Sequence, residues 1–316
     1  MASEASGMNA ALALLIAVAL DRVFGEPPNA LHPVAWMGSA IARGRDWAFC
    51  PSRAGQFVRG AVVALTLPVA CAGFAFLVAR GVSRWTLVSV LVTALVLKPL
   101  FAIRALRDAA FLVRDALTAG NVALARAQLS SLCSRDAADL DPAALIAATI
   151  ESVAENASDS IVAPFFYFAL AGLPGAAFYR AGNTLDAMIG YRGRYEWVGK
   201  TAARLDDLLN LLPARLTALL FLLVAPFFGG NVRRGAMTLW RDGGRTESPN
   251  AGRPMAAMAG LLGIRLEKLG HYALGDATRP IAVSDITRAW QIVSGAAYAS
   301  AVLSAAALVA ITALHG

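Results

Sequence analysis

The chain has 316 residues, 58% hydrophobic and 16% charged, with a formal net charge of +7. That is greasier and less charged than an ordinary soluble domain, and it predicts a membrane protein. Its Lys and Arg residues are scattered over every polar segment instead of forming one stripe with interleaved aromatics, which argues against nucleic acid as a partner. The positive excess suits loops lying on anionic lipid and an anionic substrate equally well.

An apolar stretch of about 20 residues crosses the hydrocarbon core as a helix. The first candidate, 8–20, is short, and AVA before Leu20 mimics a signal-cleavage site. It has no basic leader and carries Glu4, so an uncleaved first helix is expected. DRVFGEPPNALHPVAWMG, 21–38, follows, where Pro27, Pro28 and Pro33 break helix and a rigid loop presents Asp21, Glu26 and His32. Clear spans come next at 60–79 and 85–103, the second interrupted by Lys98.

Within 104–150, Leu106, Ala110, Val113 and Leu117 recur three and four apart with Arg107, Arg114 and Asp115 between them, the pattern of a soluble amphipathic helix. SRDAADLDPAAL then offers Asp139 or Asp141 as a helix start before Pro142. Further spans are expected at 161–179 and 290–314, with a shorter one at 216–230. Six spans put the loops near 21–59, 104–160 and 231–289 on one side. That side is richer in Lys and Arg and so is cytosolic. The expectation is an all-α polytopic integral membrane protein of five or six transmembrane helices, one membrane domain over 1–316, with a helical extramembrane segment at 104–160 and an extramembrane loop at 231–289.

ESVAENASDS, 151–160, lies between two apolar runs. Ionised groups near hydrocarbon cost several kcal/mol each unless paired, hydrated or coordinating. Glu151, Glu155 and Asp159 are four apart and share one helix face, with Ser152 and Asn156 beside them. Three like charges in a row repel, and a cation such as Mg²⁺ carrying a nucleotide phosphate, or arginines from elsewhere, relieves that. A solvated helix face is the bland alternative.

A second polar cluster spans 180–220, where Asn183, Asp186, Arg194, Arg204, Asp206, Asp207, Asn210 and Arg215 offer groups for phosphates and cations, or for structural ion pairs at a membrane surface. GRYEWVGKT, 193–201, has five residues between its first glycine and GK where a phosphate-cradling loop needs four. In 248–266, Ser248, Asn250 and Gly252 form a turn before an apolar helix, a place where backbone N–H groups meet an anion. Cys50, Cys71 and Cys133 form no CxxC pair and the histidines no HExxH, so no transition-metal site is signalled. If 161–179 crosses as one straight helix, the two polar clusters face opposite sides. Pro164 and Pro174 allow that segment to be broken or re-entrant.

The motifs D-x4-EPP-x3-HPV-x2-MG, SRDAADLD, ATIESVAENASDSIVAPFFY, YRAGNTLDAMIGY, ARLDDLLNLLPARLTALL and SPNAG-x5-AMAGLLGIRL run in this order from about 21 to 266. In these the chain resembles the CobD/CbiB family of adenosylcobinamide-phosphate synthases, membrane proteins of cobalamin biosynthesis. It departs from the family at Glu26, where aspartate is more usual, and the likeness thins after 267. The resemblance implies amide ligation of aminopropanol, or its O-phosphate, to a propionate carboxyl of adenosylcobyric acid. A free carboxylate needs activation for this, so ATP and Mg²⁺ are expected, most simply through an acyl phosphate.

On that reading Glu151, Glu155 and Asp159 hold metal or deprotonate the amine, and Asn156 orients one of them. Asn183, Asp186, Arg194, Arg204, Asp206, Asn210, Arg215, His32, Ser248 and Asn250 contact substrate. The protein then sits in the cell membrane as a multi-pass protein with a cytosolic site, and other corrinoid-pathway enzymes are possible partners on its basic loops. Two rival classes remain open. A transporter predicts bound solute without ATP or magnesium. An AmpE-like non-catalytic regulator predicts that the acidic row can be neutralised without loss of a small-molecule activity.

Overall fold

The computed structural model describes residues 2–133 and 136–314. Ser134 and Arg135 of the SRDAADLD motif, and His315, lie outside the described residues. In chain order the helices are α1 (Ala2–Phe24), α2 (Pro33–Ala48), α3 (Arg53–Val82), α4 (Thr86–Leu97), α5 (Ile103–Thr118), α6 (Val122–Leu129) and α7 (Pro142–Ala157). They continue as α8 (Ala163–Ile189), α9 (Lys200–Leu209), α10 (Leu211–Val224), α11 (Val232–Asp242), α12 (Gly252–Leu262) and α13 (Ser284–Leu314). A short antiparallel hairpin, β1 (Leu266–Lys268) and β2 (Tyr272–Leu274), pairs Leu266 with Leu274.

Six helical stretches are long and apolar enough to cross a membrane: Ser6–Phe24, Arg53–Val82, Thr86–Thr118, Pro142–Ile189, Leu211–Phe228 and Ser284–Leu314. Each contains or closely overlaps one of the six stretches expected from hydropathy. The protein is all-α and polytopic.

Composition gives no linker, yet the chain divides into two compact units. The first comprises 1–102, 163–210 and 301–316; the second comprises 103–162 and 211–300. Both are discontinuous, so no local change in composition marks their border, and one domain over 1–316 is the natural expectation from sequence.

In the first unit α3 packs on α8 and α2, α8 on α9, and α1 on α4. Ile41, Val63, Leu185, Ile189 and Val198 form the seam among α2, α3, α8 and the segment before α9. His32 starts α2 as its N-cap, with Nδ1 accepting from Val34 N at 3.2 Å and Pro33 at the first helical position. Within α8, Ala171 (φ −139°) and Gly172 (φ 62°, ψ −155°) leave helical geometry just before Pro174, so the run is broken there, as its prolines allow.

In the second unit α5 and α6 pack on α7 through Val113, Ala116, Ala125, Leu129, Leu145 and Ala148. Asp141 caps α7, its carboxylate accepting from Ala144 N at 2.8 Å. The segment expected as an extramembrane loop, 231–289, contains two helices and the hairpin. Fully buried Asp242 ties them together, accepting from Arg241, Arg245 and the Gly275 N–H at 2.8, 3.0 and 2.9 Å. Strands of three residues leave too little alternation for a sequence pattern to reveal.

Candidate active site

Every residue of α7 from Leu145 to Ala154 is buried, so α7 is a core helix of its unit and not a solvated one. Glu151 (3% exposed) and Ser152 lie on it, with Glu155 and Asn156 half-buried one turn on. The helix then widens into a π-helical turn, Ser158–Val162, which carries Asp159. Such turns insert a residue into the hydrogen-bond ladder and recur at functional sites. The widening changes the expected geometry: Glu151 and Glu155 share a regular face, whereas Asp159 sits on the bulge.

Asn156 Nδ2 donates to Ser152 O at 2.9 Å, and Ser160 Oγ reaches Asn156 Oδ1 at 3.5 Å, which fixes the amide in place. Ser158 Oγ is buried and finds no hydrogen-bond partner among the described residues. Among those residues no three His, Cys, Asp or Glu side chains are grouped so as to hold a metal ion by themselves.

Also in this unit, Arg215 Nη1 donates to Leu211 O at 2.6 Å and to buried Asn250 Oδ1 at 3.3 Å. Ser248 Oγ accepts from Asn250 N at 3.3 Å, and Arg253 N reaches Asn250 O at 2.9 Å. Arg215, Ser248 and Asn250 are thus brought together, and Arg215 lies within electrostatic range of Arg253.

In the first unit the 180–220 cluster condenses around Asp206. Its Oδ1 accepts from Asn183 Nδ2 at 3.2 Å and its Oδ2 from Asn210 Nδ2 at 3.0 Å. Tyr179 OH donates to Asn210 Oδ1 at 2.8 Å, and Tyr179 stacks on Tyr167 with ring centroids 5.1 Å apart. Burial pushes the Asp206 carboxyl up, assisted by the charge of Asp207, and the two asparagine hydrogen bonds only partly offset this. Asp186 is half-buried in the last turn of α8. Arg194 and Arg204 stay outside the network. Arg194 stacks over Phe49 at 5.5 Å, and Arg204, 79% exposed, pairs loosely with Asp207 at 3.8 Å.

His32 joins a group of which the sequence flags only parts. Its Nε2 meets Glu26 Oε2 at 2.9 Å, the same oxygen that Lys98 Nζ reaches at 2.9 Å, and Asp21 lies 3.6 Å from Lys98. The signal is Lys98 itself, since a lone ammonium in an apolar run must find a carboxylate. With both ring nitrogens engaged, His32 is held as helix cap and Glu26 partner.

The CobD/Cbib protein family profile matches residues 14–293. A cobalamin biosynthesis protein CobD of Dehalococcoides mccartyi is 44% identical over 293 residues, 92% of this chain and 94% of the relative. Those of Rhodobacter capsulatus (41%; 86% and 87% covered) and Klebsiella pneumoniae (40%; 88% and 91%) are nearly as similar. No solved structure matches the chain significantly. With a match over most of its length and relatives above 40% identity, the chain belongs to the CobD/Cbib family, whose named relatives are cobalamin biosynthesis proteins.

Proposed function

We propose that this chain serves cobalamin biosynthesis by closing the amide bond between aminopropanol, free or as its O-phosphate, and a propionate carboxyl of adenosylcobyric acid. The observation that carries this reading is the acidic row on α7. Glu151 and Glu155 sit on a core helix that runs into a π turn, where the buried Ser158 hydroxyl finds no hydrogen-bond partner among the described residues. Carboxylates carried by a core helix next to such a turn have the chemistry that a phosphate-bound cation or an amine substrate uses.

Mg²⁺ bound through nucleotide phosphates needs only one or two carboxylates, so the donor set fits although no three-ligand cage is preassembled among the described residues. Glu151, Glu155 and Asp159 are the candidate ligands, of which one or two would hold it while another is left to act as base. Bound Mg-ATP supplies the activation that a free carboxylate lacks. Glu155, half-buried one turn beyond Glu151, is placed to take the proton that the ammonium must lose before its nitrogen attacks. Asn156, held by Ser152 and Ser160, keeps a second amide N–H with which it would orient one of these carboxylates. Arg215, steadied by Asn250 and near Arg253, offers positive charge to a phosphate. The Lys and Arg distribution supports a site on the cytosolic side of a cell membrane, where other enzymes of the pathway can dock on the basic loops.

The test is complementation. A cobalamin-producing bacterium lacking its own CobD should accumulate adenosylcobyric acid and regain cobinamide formation when this chain is expressed. Restoration of corrinoid uptake without any cobinamide would overturn the ligase reading in favour of transport.

A further inference from the structure

The first unit contains a cavity of about 1000 Å³ among α1, α2, α3 and the end of α4, at the top of the size range usual for small-molecule sites. Its walls are apolar, with Phe24, Trp36, Met37, Phe74, Val78 and Leu95 among them, and among the described residues its only charged lining groups are Glu26 and Lys98. Both stand where apolar helices end: Glu26 follows the last residue of α1 by two, and Lys98 directly follows α4. Such a volume matches the build of an amphiphile, a charged head joined to apolar chains.

The head chemistry can be read from the two charges. Both donors that reach Glu26, from His32 and Lys98, go to Oε2. Oε1 is buried and accepts nothing among the described residues. A buried carboxylate oxygen without a donor is unfavourable, so a ligand N–H there would be strongly favoured. Lys98 Nζ has three N–H groups. With Glu26 at 2.9 Å and Asp21 at 3.6 Å it can still turn one to an anionic oxygen. A head with both an ammonium N–H and a phosphate satisfies the two residues together.

We propose that this cavity seats one ethanolamine phospholipid from the bilayer, its ammonium on Glu26 Oε1, its phosphate beside Lys98 and its acyl chains along α1 and α3. Choline lipids carry no N–H to donate, and glycerol lipids carry no cation. The site does not depend on the ligase reading, because lipid retention is measured without turnover.

The test is native mass spectrometry of the full chain in mild detergent, equilibrated with equal amounts of ethanolamine, choline and glycerol phospholipids of identical chains. One ethanolamine lipid should be retained, preferred over choline roughly tenfold, the factor that about 1.4 kcal/mol corresponds to. Glu26→Gln should lose that preference. Ala70→Trp, which fills the cavity from its apolar wall and leaves both charges in place, should lose retention altogether. Equal retention of the three headgroups by the wild type, no retention at all, or undiminished retention in Ala70→Trp would each overturn the proposal, whether or not Glu26→Gln folds.

Discussion

Lys98 Nζ lies 2.9 Å from Glu26 Oε2, joining the one charge of residues 85–103 to a carboxylate 72 positions earlier in the chain. The ammonium is buried, and Asp21, 1% exposed, is its second ion-pair partner at 3.6 Å. Removing one member of a buried ion group leaves an uncompensated charge, whereas removing both sides leaves less strain.

Lys98→Met is therefore expected to destabilise the folded protein by ~3 kcal/mol. Adding Glu26→Gln to it should recover part of that loss, as measured by denaturant unfolding in detergent. Equal and additive losses would mean that the pair does not couple.

Two carboxylates of the same unit should respond to pH in opposite directions. Burial alone would push Glu26 up, but hydrogen bonds from His32 and Lys98 and the charge of Lys98 outweigh it and hold the carboxyl below its ordinary value. Glu26 thus contributes stability that is present above the unfolded-state value and lost as pH falls through the folded one. Asp206 is raised by burial, so its contribution is full below the unfolded-state value and is lost as pH rises through the folded one. Measured against pH, the stability of wild type relative to Glu26→Gln should rise, and that relative to Asp206→Asn should fall, across the acidic range.

Gly172 sits at φ 62° and ψ −155°, a region that only glycine enters cheaply. Gly172→Ala is expected to cost about 1–3 kcal/mol in the same unfolding experiment. Ala substitution at Gly73, where a Cβ meets nothing within 4 Å, is the control and should have little effect.

These positions show how far the sequence carries. The six spans are legible because hydropathy over about 20 residues is a strong signal, and Asp141 is legible as a cap because Pro142 follows it. The break near Pro174 is foreshadowed by the proline, but its location at Ala171–Gly172 depends on packing. Lys98 appears in the sequence only as a flaw in a span, since its partners come from the loop after α1. The π turn leaves no trace in spacing, so Asp159 reads as the third member of a regular row. The charges of Arg194 and Arg204 are legible in the sequence, but their positions over Phe49 and beside Asp207 are not.

Glu155→Gln should lower turnover by about 10²-fold or more, the usual weight of a positioned acid–base group, while leaving corrinoid binding and folding intact. Arg215→Ala should raise KM for aminopropanol phosphate and leave KM for free aminopropanol nearly unchanged. A uniform rise for both amines would assign Arg215 to the corrinoid or to the nucleotide.

The most direct measurement is turnover by the purified protein in detergent with adenosylcobyric acid, aminopropanol phosphate and Mg-ATP, omitting each component in turn and following corrinoid mass and ADP. Amide ligation predicts adenosylcobinamide phosphate formed in step with ADP, and neither product when ATP, Mg²⁺ or the amine is left out. Folded protein that binds corrinoid yet forms no amide under the complete condition would contradict it.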